Sequence, residues 1–393
     1  MKPLPITAYS LVNALGKGSA ATVAALRSEQ GGLRPCDFED AELATWIGRV
    51  EGLESTPLPP AYAAYDCRNN RLARMGLDQD SFASRVRQAL ERYRPERIGL
   101  FLGTSTSGIR ETERLLRDHG EGPVPAHYHY RETHNLVSLV AFVSHYLGIT
   151  GPGFTISTAC SSSAKVFAAA HRHIQAGLCD AALVGGIDSL CLTTLYGFNA
   201  LELVAEAPCR PWDRERSGLS IGEGAAFALL ETGEAPEGTP ALLGYGESSD
   251  GYHISTPHPE GHGAKMAMES ALQRADLTPG DLDYINLHGT ATPSNDRSED
   301  RAVRTLFPEG VASSSTKGWT GHTLGAAGAT EAVISLLAME ENFVPGTLNL
   351  DQPDPQLGLP VLRHGREASP RRILSNSFGF GGSNCSLVFG SRP

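Results

Sequence analysis

The chain alternates between short, solid apolar runs and longer stretches with a helical period, the pattern of strands exchanging with helices. Residues 1–30 predict a short strand followed by a helix at about 19–28. Residues 67–93 are mostly helical in pattern, with Arg68, Arg71 and Arg74 repeating along one side. The run Arg97-Ile-Gly-Leu-Phe-Leu-Gly103 predicts a buried strand ending in Gly103-Thr-Ser-Thr106. A helix is predicted over 135–147, then the end of a buried strand at Phe154-Thr-Ile156. After a turn around Cys160 comes an alanine-rich helix over 161–177, closed by Gly177. Further apolar strands are predicted at 181–185 and 225–230.

The second half echoes the first. Asp283-Tyr-Ile-Asn-Leu-His288 is an apolar strand ending in Gly289-Thr-Ala-Thr292, alike in type and position to Gly103-Thr-Ser-Thr106. Ser315-Thr316 and a Gly/Ala-rich helix over 323–340 parallel Ser157-Thr158 and the cysteine helix. The pattern predicts two similar α/β halves packed together, taken as residues 1–240 with the cysteine and 241–393 with the histidines. Chance similarity of Gly/Thr turns is the competing explanation.

Composition narrows the functional classes. With 393 residues, 40% hydrophobic and 20% charged, the chain has ample material for a core. A net charge of −11 argues against general nucleic-acid binding, which needs a basic face. No apolar window is long enough to span a bilayer, and Met1-Lys-Pro-Leu-Pro-Ile-Thr7 lacks a signal-peptide core, so a cytoplasmic, non-membrane protein is expected. Seven cysteines, at 36, 67, 160, 179, 191, 209 and 385, form no CxxC pair and read as reduced thiols.

Four stretches carry chemistry. Cys160 lies at a strand-to-helix junction, where unpaired N–H groups favour negative charge and should lower a thiol pKa, making a nucleophile. A buried structural cysteine is the competing reading. His288 falls just past a buried strand, where the active sites of α/β sheets gather; taken alone, such a histidine is more often structural. Lys317 and His322 lie in Ser315-Thr-Lys-Gly-Trp-Thr-Gly-His322, whose glycines permit close backbone packing. Asn376-Ser-Phe-Gly-Phe-Gly-Gly-Ser-Asn384 is a Gly-rich turn able to aim N–H groups at an oxyanion. The chain has no GxxxxGK[ST] and no strand-borne GxGxxG, which argues against a nucleotide loop. His171, His173, His258 and His262 lack cysteine or carboxylate companions at metal spacing, and no metal is expected.

Taken together, STACSSSA, CRPWDRERSGLSIGEGA, GYHISTPHPEG, HGTATPSND, STKGWTGHTLGAAGATEA and NSFGFGGSN resemble the β-ketoacyl-acyl carrier protein synthases, elongating condensing enzymes of the thiolase superfamily. The resemblance runs from Ile6 to Phe389. It implies a duplicated βαβαβαββ fold in five layers, α-β-α-β-α, usually dimeric. It implies Cys160 as the acyl-accepting nucleophile, His288 and His322 as the paired histidines, Lys317 supporting the second histidine, and Glu331 linked to that lysine. Asp296 and Glu299 match acidic positions after the first histidine motif. Phe380, preceded by Phe378, matches a gate residue whose N–H joins that of Cys160 in an oxyanion hole. Arg68 and Arg71, with Arg74 as a further candidate, fall where the family faces its carrier; a solvated helix face is the competing reading.

The reaction implied is decarboxylative Claisen condensation of a Cys-bound acyl group with malonyl-acyl carrier protein, in fatty acid or polyketide (including aryl polyene) synthesis. No bound cofactor is implied, since the phosphopantetheine arm arrives on the acyl carrier protein. The partner in a dimer would be a second copy or a chain-length-factor-like subunit. A non-decarboxylating thiolase would carry a second catalytic cysteine near its C-terminus, whereas here Cys385 falls after the Gly-rich turn. The chain-initiating type pairs its cysteine with His and Asn, against Gly321-His322. A non-catalytic chain-length-factor-like subunit lacks the nucleophile. Ser161-Ser-Ser163 and Trp319 depart from the commonest fatty-acid pattern, which leaves housekeeping and specialised pathways equally open.

Overall fold

The computed structural model of the chain describes all residues except 121, 127, 234, 392 and 393. Ten strands carry the architecture: β1 Leu4–Asn13, β2 Ile98–Gly103, β3 Gly153–Ile156, β4 Ala181–Asp188, β5 Gly224–Glu231, β6 Pro240–Ser249, β7 Tyr284–Asn286, β8 Ser313–Ser314, β9 Arg372–Gly379 and β10 Ser383–Ser391. Six helices connect them: α1 Arg68–Leu77, α2 Val137–Leu147, α3 Ser162–Gln175, α4 His262–Ala275, α5 Pro293–Leu306 and α6 Ala327–Glu340. The order β1-α1-β2-α2-β3-α3-β4-β5 is thus repeated as β6-α4-β7-α5-β8-α6-β9-β10.

The sheet repeats as well. Its order is β3-β2-β4-β5-β1 and then, mirrored, β6-β10-β9-β7-β8. In each half the first three strands are parallel and the last two antiparallel. The halves meet through Leu4 opposite Leu242 and Pro5 opposite Ala241. Helices α3 and α6 pack on each other and on strands of both halves, while α1 and α2 cover one outer face and α4 and α5 the other. These are the five layers, and the fold is thiolase-like.

The middle layer explains its own composition. A helix between two sheets has no solvent face, so it is apolar or small all round. Helix α6 is buried continuously over residues 327–338. It approaches α3 so closely that a Cβ on Gly328 would sit 2.5 Å from the Ala164 nitrogen.

Several local expectations change. Residues 67–93 form two helices, α1 and Phe82–Arg92, broken where Asp80 and Ser81 turn left-handed at φ 51° and 57°. β3 is not a buried strand but the outermost one, with Gly153 and Phe154 exposed. Helices Ile109–His119, Leu192–Ala200, α4 and α5 are additional to those predicted. Among the described residues no helix is long and apolar enough to cross a membrane.

Candidate active site

The carboxyl ends of the parallel strands converge, as open α/β sheets require of a site. After β3 the chain turns sharply, with Ala159 left-handed at φ 52°. The Ser162 hydroxyl braces that elbow: it accepts from Thr158 N at 2.9 Å and donates to Ala159 O at 2.5 Å. Cys160, next in line, points its Sγ at His322 Nε2, 2.9 Å away. The Phe380 N–H is directed at the same sulfur. Burial pushes the Cys160 thiol up to about 12, outweighing the Lys317 cation and the Phe380 N–H. The expectation of an acidified thiol is therefore corrected: loss of water on burial raises the thiol more than the neighbouring cation and N–H lower it.

On the other half, Lys317 donates to His288 O, pairs with Glu331, and places Nζ 3.3 Å from His288 Nδ1. An ammonium can only donate, so Nδ1 accepts and the His288 proton sits on Nε2. Lys317 therefore makes its direct contacts with the first histidine, and it reaches the second through its charge, which lowers the His322 pKa. Glu299 accepts from His288 N and Gly289 N, each at 2.8 Å, and from Asn376 Nδ2 at 3.1 Å. Asp296 accepts from Trp212 N at 3.0 Å and Ala291 N at 3.2 Å, with Arg216 Nε 3.5 Å away. Burial raises the carboxyls of Glu299 and Glu331 to about 7 against these donors and against Lys317, and it raises Asp296 in the same direction. These acids hold backbone and lysine; none faces the sulfur.

His322 is held by its main chain, N donating to Ser220 O at 2.7 Å and O accepting from Gly222 N at 2.9 Å. Its Nδ1 has no hydrogen-bond partner among the described residues. The two imidazoles stand edge to face, centroids 5.3 Å apart at 85°. Desolvation, and then the Lys317 cation, holds both histidines well below their usual pKa, so both rings are neutral. The Cys160, His288 and His322 heteroatoms lie within 4.8 Å of one another. By atom type they could hold a soft metal ion; the Lys317 cation 3.3 Å from His288 Nδ1 works against a second positive charge.

The trio opens into a narrow cleft lined by Phe198, Leu203, Leu219, Phe378 and Phe380. Phe198 and Phe380 stack along it at 5.4 Å, and the Phe378 ring lies 5.8 Å from that of His288. Gly381 N donates to Ile254 O at 2.7 Å, tying the Gly-rich turn to the loop that follows β6.

The three arginines do not form a free basic face. Arg68 is only 2% exposed and is bound to Glu223, itself buried, and to Glu54. The role expected for Arg68 is thereby corrected: α1 is sandwiched, and the every-third-residue spacing points this side chain inward. Arg71 forks onto Asp66 with two bonds of 2.6 Å, and Arg74 donates to Pro57 O at 3.1 Å; both stay half-buried. One buried acid at the site, Asp188, escaped the sequence reading, because a single acid at a strand end carries no spacing signal. His258 and His262 stack on each other at 4.2 Å.

Two family models match the chain, the N-terminal domain of β-ketoacyl synthase over residues 61–235 and its C-terminal domain over 240–351. The chain belongs to the β-ketoacyl synthase family. A 3-oxoacyl-[acyl-carrier-protein] synthase 2 of Rhizobium meliloti is 37% identical to it over 310 residues, 74% of this chain and 73% of that protein. Among solved structures, the ketosynthase ApeO in complex with its chain length factor ApeC, from Xenorhabdus doucetiae, is 36% identical with a TM-score of 0.89, covering 99% of this chain and 98% of its own. A β-ketoacyl synthase from Burkholderia phymatum STM815 is 28% identical with a TM-score of 0.88 over the full length of both. This synthase is accordingly a β-ketoacyl-acyl carrier protein synthase, a condensing enzyme.

Proposed function

We propose that Cys160 is the nucleophile that takes the growing acyl group from an acyl carrier protein, and that His288 and His322 then stabilise the malonyl-derived enolate that attacks it. The observation that carries this reading is the convergence of one sulfur and two neutral imidazoles within 4.8 Å at the floor of the cleft. The phosphopantetheine arm would enter through the cleft, so the enzyme needs no cofactor of its own.

In the first half-reaction the Cys160 sulfur attacks the carrier thioester. The new C–S bond forms, the carrier C–S bond breaks, and the thiol proton passes through His322 Nε2 to the departing thiolate. A thiol near 12 needs that acceptor at 2.9 Å, because its standing thiolate population is negligible at neutral pH. The N–H groups of Cys160 and Phe380 are the donors proposed for the tetrahedral oxyanion, with about 3–4 kcal/mol at stake per donor in such sites.

In the second half-reaction the malonyl C–C bond breaks, CO₂ leaves, and the enolate carbon bonds to the acyl carbonyl. The acyl C–S bond to Cys160 breaks, and the released thiolate takes up a proton from solvent water. His288, its proton fixed on Nε2 by Lys317, donates to the malonyl thioester carbonyl throughout. Among the described residues none fixes the His322 tautomer at Nδ1, so the same ring can accept from the thiol in one half-reaction and donate to the enolate in the other.

The partner would be a second copy or a chain-length-factor-like subunit, joined at β3. That strand ends the sheet with an open edge, beside exposed Phe154, Leu136 and Val137, an arrangement that invites pairing. Carrier contacts on α1 fall to Arg71 and Arg74, which keep part of their surface. The site is proposed to work in the cytoplasm, where carrier-bound thioesters are supplied. The test is intact-mass measurement after incubation with an acyl carrier thioester, followed by malonyl carrier. An acyl adduct on Cys160 that is consumed to a β-ketoacyl carrier supports the reading; its absence in the folded wild-type pair overturns it.

A further inference from the structure

We infer that Asp188, the last residue of β4, is a positioning residue that sets the spacing between the cysteine of one half and the second histidine of the other. It rests on the nucleophile reading above and concerns what holds those two atoms in reach.

Asp188 is buried between the two halves and collects six neutral donors. One oxygen accepts from Thr104 Oγ1 at 2.6 Å, Ser105 N at 2.8 Å, Thr106 N at 2.9 Å and Thr106 Oγ1 at 2.8 Å. The other accepts from Ser105 Oγ at 2.5 Å and, across the interface, from Gly325 N at 2.6 Å. Gly325 lies just past His322, and Leu324 between them is left-handed at φ 51°, which turns that N–H back toward the first half.

The other end of the chain of contacts leads to the sulfur. The turn after β2, which Asp188 gathers, packs on the start of α3: a Cβ on Gly103 would lie 2.5 Å from Ser163 N. Ser163 in turn accepts from Ala329 N at 2.9 Å, a second tie between the halves. Cys160 and His322 are thus linked through α3, the β2 turn, Asp188 and Gly325. A carboxylate with both oxygens saturated by short bonds has one orientation, so it fixes both turns at once.

If Asp188 acts through His322, its effect disappears when the imidazole is gone. The rate of Cys160 acylation by a carrier-bound acyl thioester is measured by intact mass in four proteins: wild type, Asp188→Asn, His322→Ala and the double variant. The expected result is a slowing of about 10-fold for Asp188→Asn alone, and of less than about 2-fold on the His322→Ala background. Asp188→Glu should recover part of the loss. Far-UV circular dichroism and thermal melting establish folding; should Asp188→Asn fail to fold, Thr104→Val removes a single donor and is expected to slow acylation about 3-fold with the same coupling. Equal slowing on both backgrounds, or wild-type rates in a folded variant, overturns the positioning role. A wild-type chain that forms no Cys160 adduct overturns the nucleophile reading beneath it, and is recognised by its independence of residue 188.

Discussion

The turn after β3 and the turn after β8 occupy the same place in the two halves, yet they were built for different work. The first reaches Cys160 at once, through a single left-handed residue, Ala159. The second takes a detour through the short helix Lys317–Thr320 before arriving at His322. That detour is what brings an ammonium into the core, where it holds His288 and pairs with Glu331. Duplication supplied one scaffold twice, and a few inserted residues made one copy a nucleophile and the other an electrostatic cradle. Both turns share one trait: burial disfavours the thiolate on one side and the imidazolium on the other, so the resting trio carries no charge.

The widest separation of the two turns comes from Cys160→Ala, expected to abolish the acyl adduct and condensation while leaving malonyl decarboxylation in place. Loss of decarboxylation together with condensation would mean that the turns do not divide the work. The buried pair behind the cysteine half should respond next. Arg68→Ala leaves Glu223 uncompensated and should cost about 3–5 kcal/mol of stability in a denaturant titration. The salt dependence of carrier binding should stay as in wild type; if it flattens while stability holds, Arg68 faces the carrier after all.

On the histidine side, His288→Ala should cut CO₂ release from malonyl carrier by about 10²–10³-fold, the range for removal of one oxyanion donor. Undiminished release would remove His288 from the enolate site. The neutral trio is testable by pH. With the thiol near 12, alkylation of Cys160 by iodoacetamide should climb about tenfold per pH unit from 7 to 10 without a plateau, following the thiolate fraction. A plateau below pH 8 would restore an acidified thiol. The smallest effect is expected at the gate: Phe198→Ala removes a stacked pair worth about 1 kcal/mol beyond its packing, and should shift the acyl-carrier KM a few-fold with little change in Tm.

Much of this was legible beforehand, and the exceptions have physical reasons. Strand ends followed by Gly/Thr turns announced the repeat, and the motifs around Cys160, His288, His322 and the Gly-rich turn lie where α/β sheets gather chemistry. An acidified Cys160 thiol is not found because the local N–H groups are legible in the sequence and the desolvation imposed by the packed halves is not. The arginine spacing on α1 misled for the same reason: the acid that claims Arg68 lies far along the chain, at Glu223. Lys317 hydrogen-bonds His288 and acts on His322 by charge alone, a division that the family resemblance does not reveal. Phe154 looked like core because apolar strands normally are, and only the sheet order makes it an edge.

Gly328 against Ala164 has a consequence for how such an enzyme can change its product. With backbone almost touching backbone there, the central pair of helices cannot yield even a methyl group of extra room. A longer or bulkier chain has to be accommodated elsewhere, and the Phe198 ring on the helix Leu192–Ala200 is a part of the cleft wall that can change while the Phe380 N–H stays on the sulfur. Diversification can therefore proceed at that helix without disturbing the geometry of bond formation at the centre.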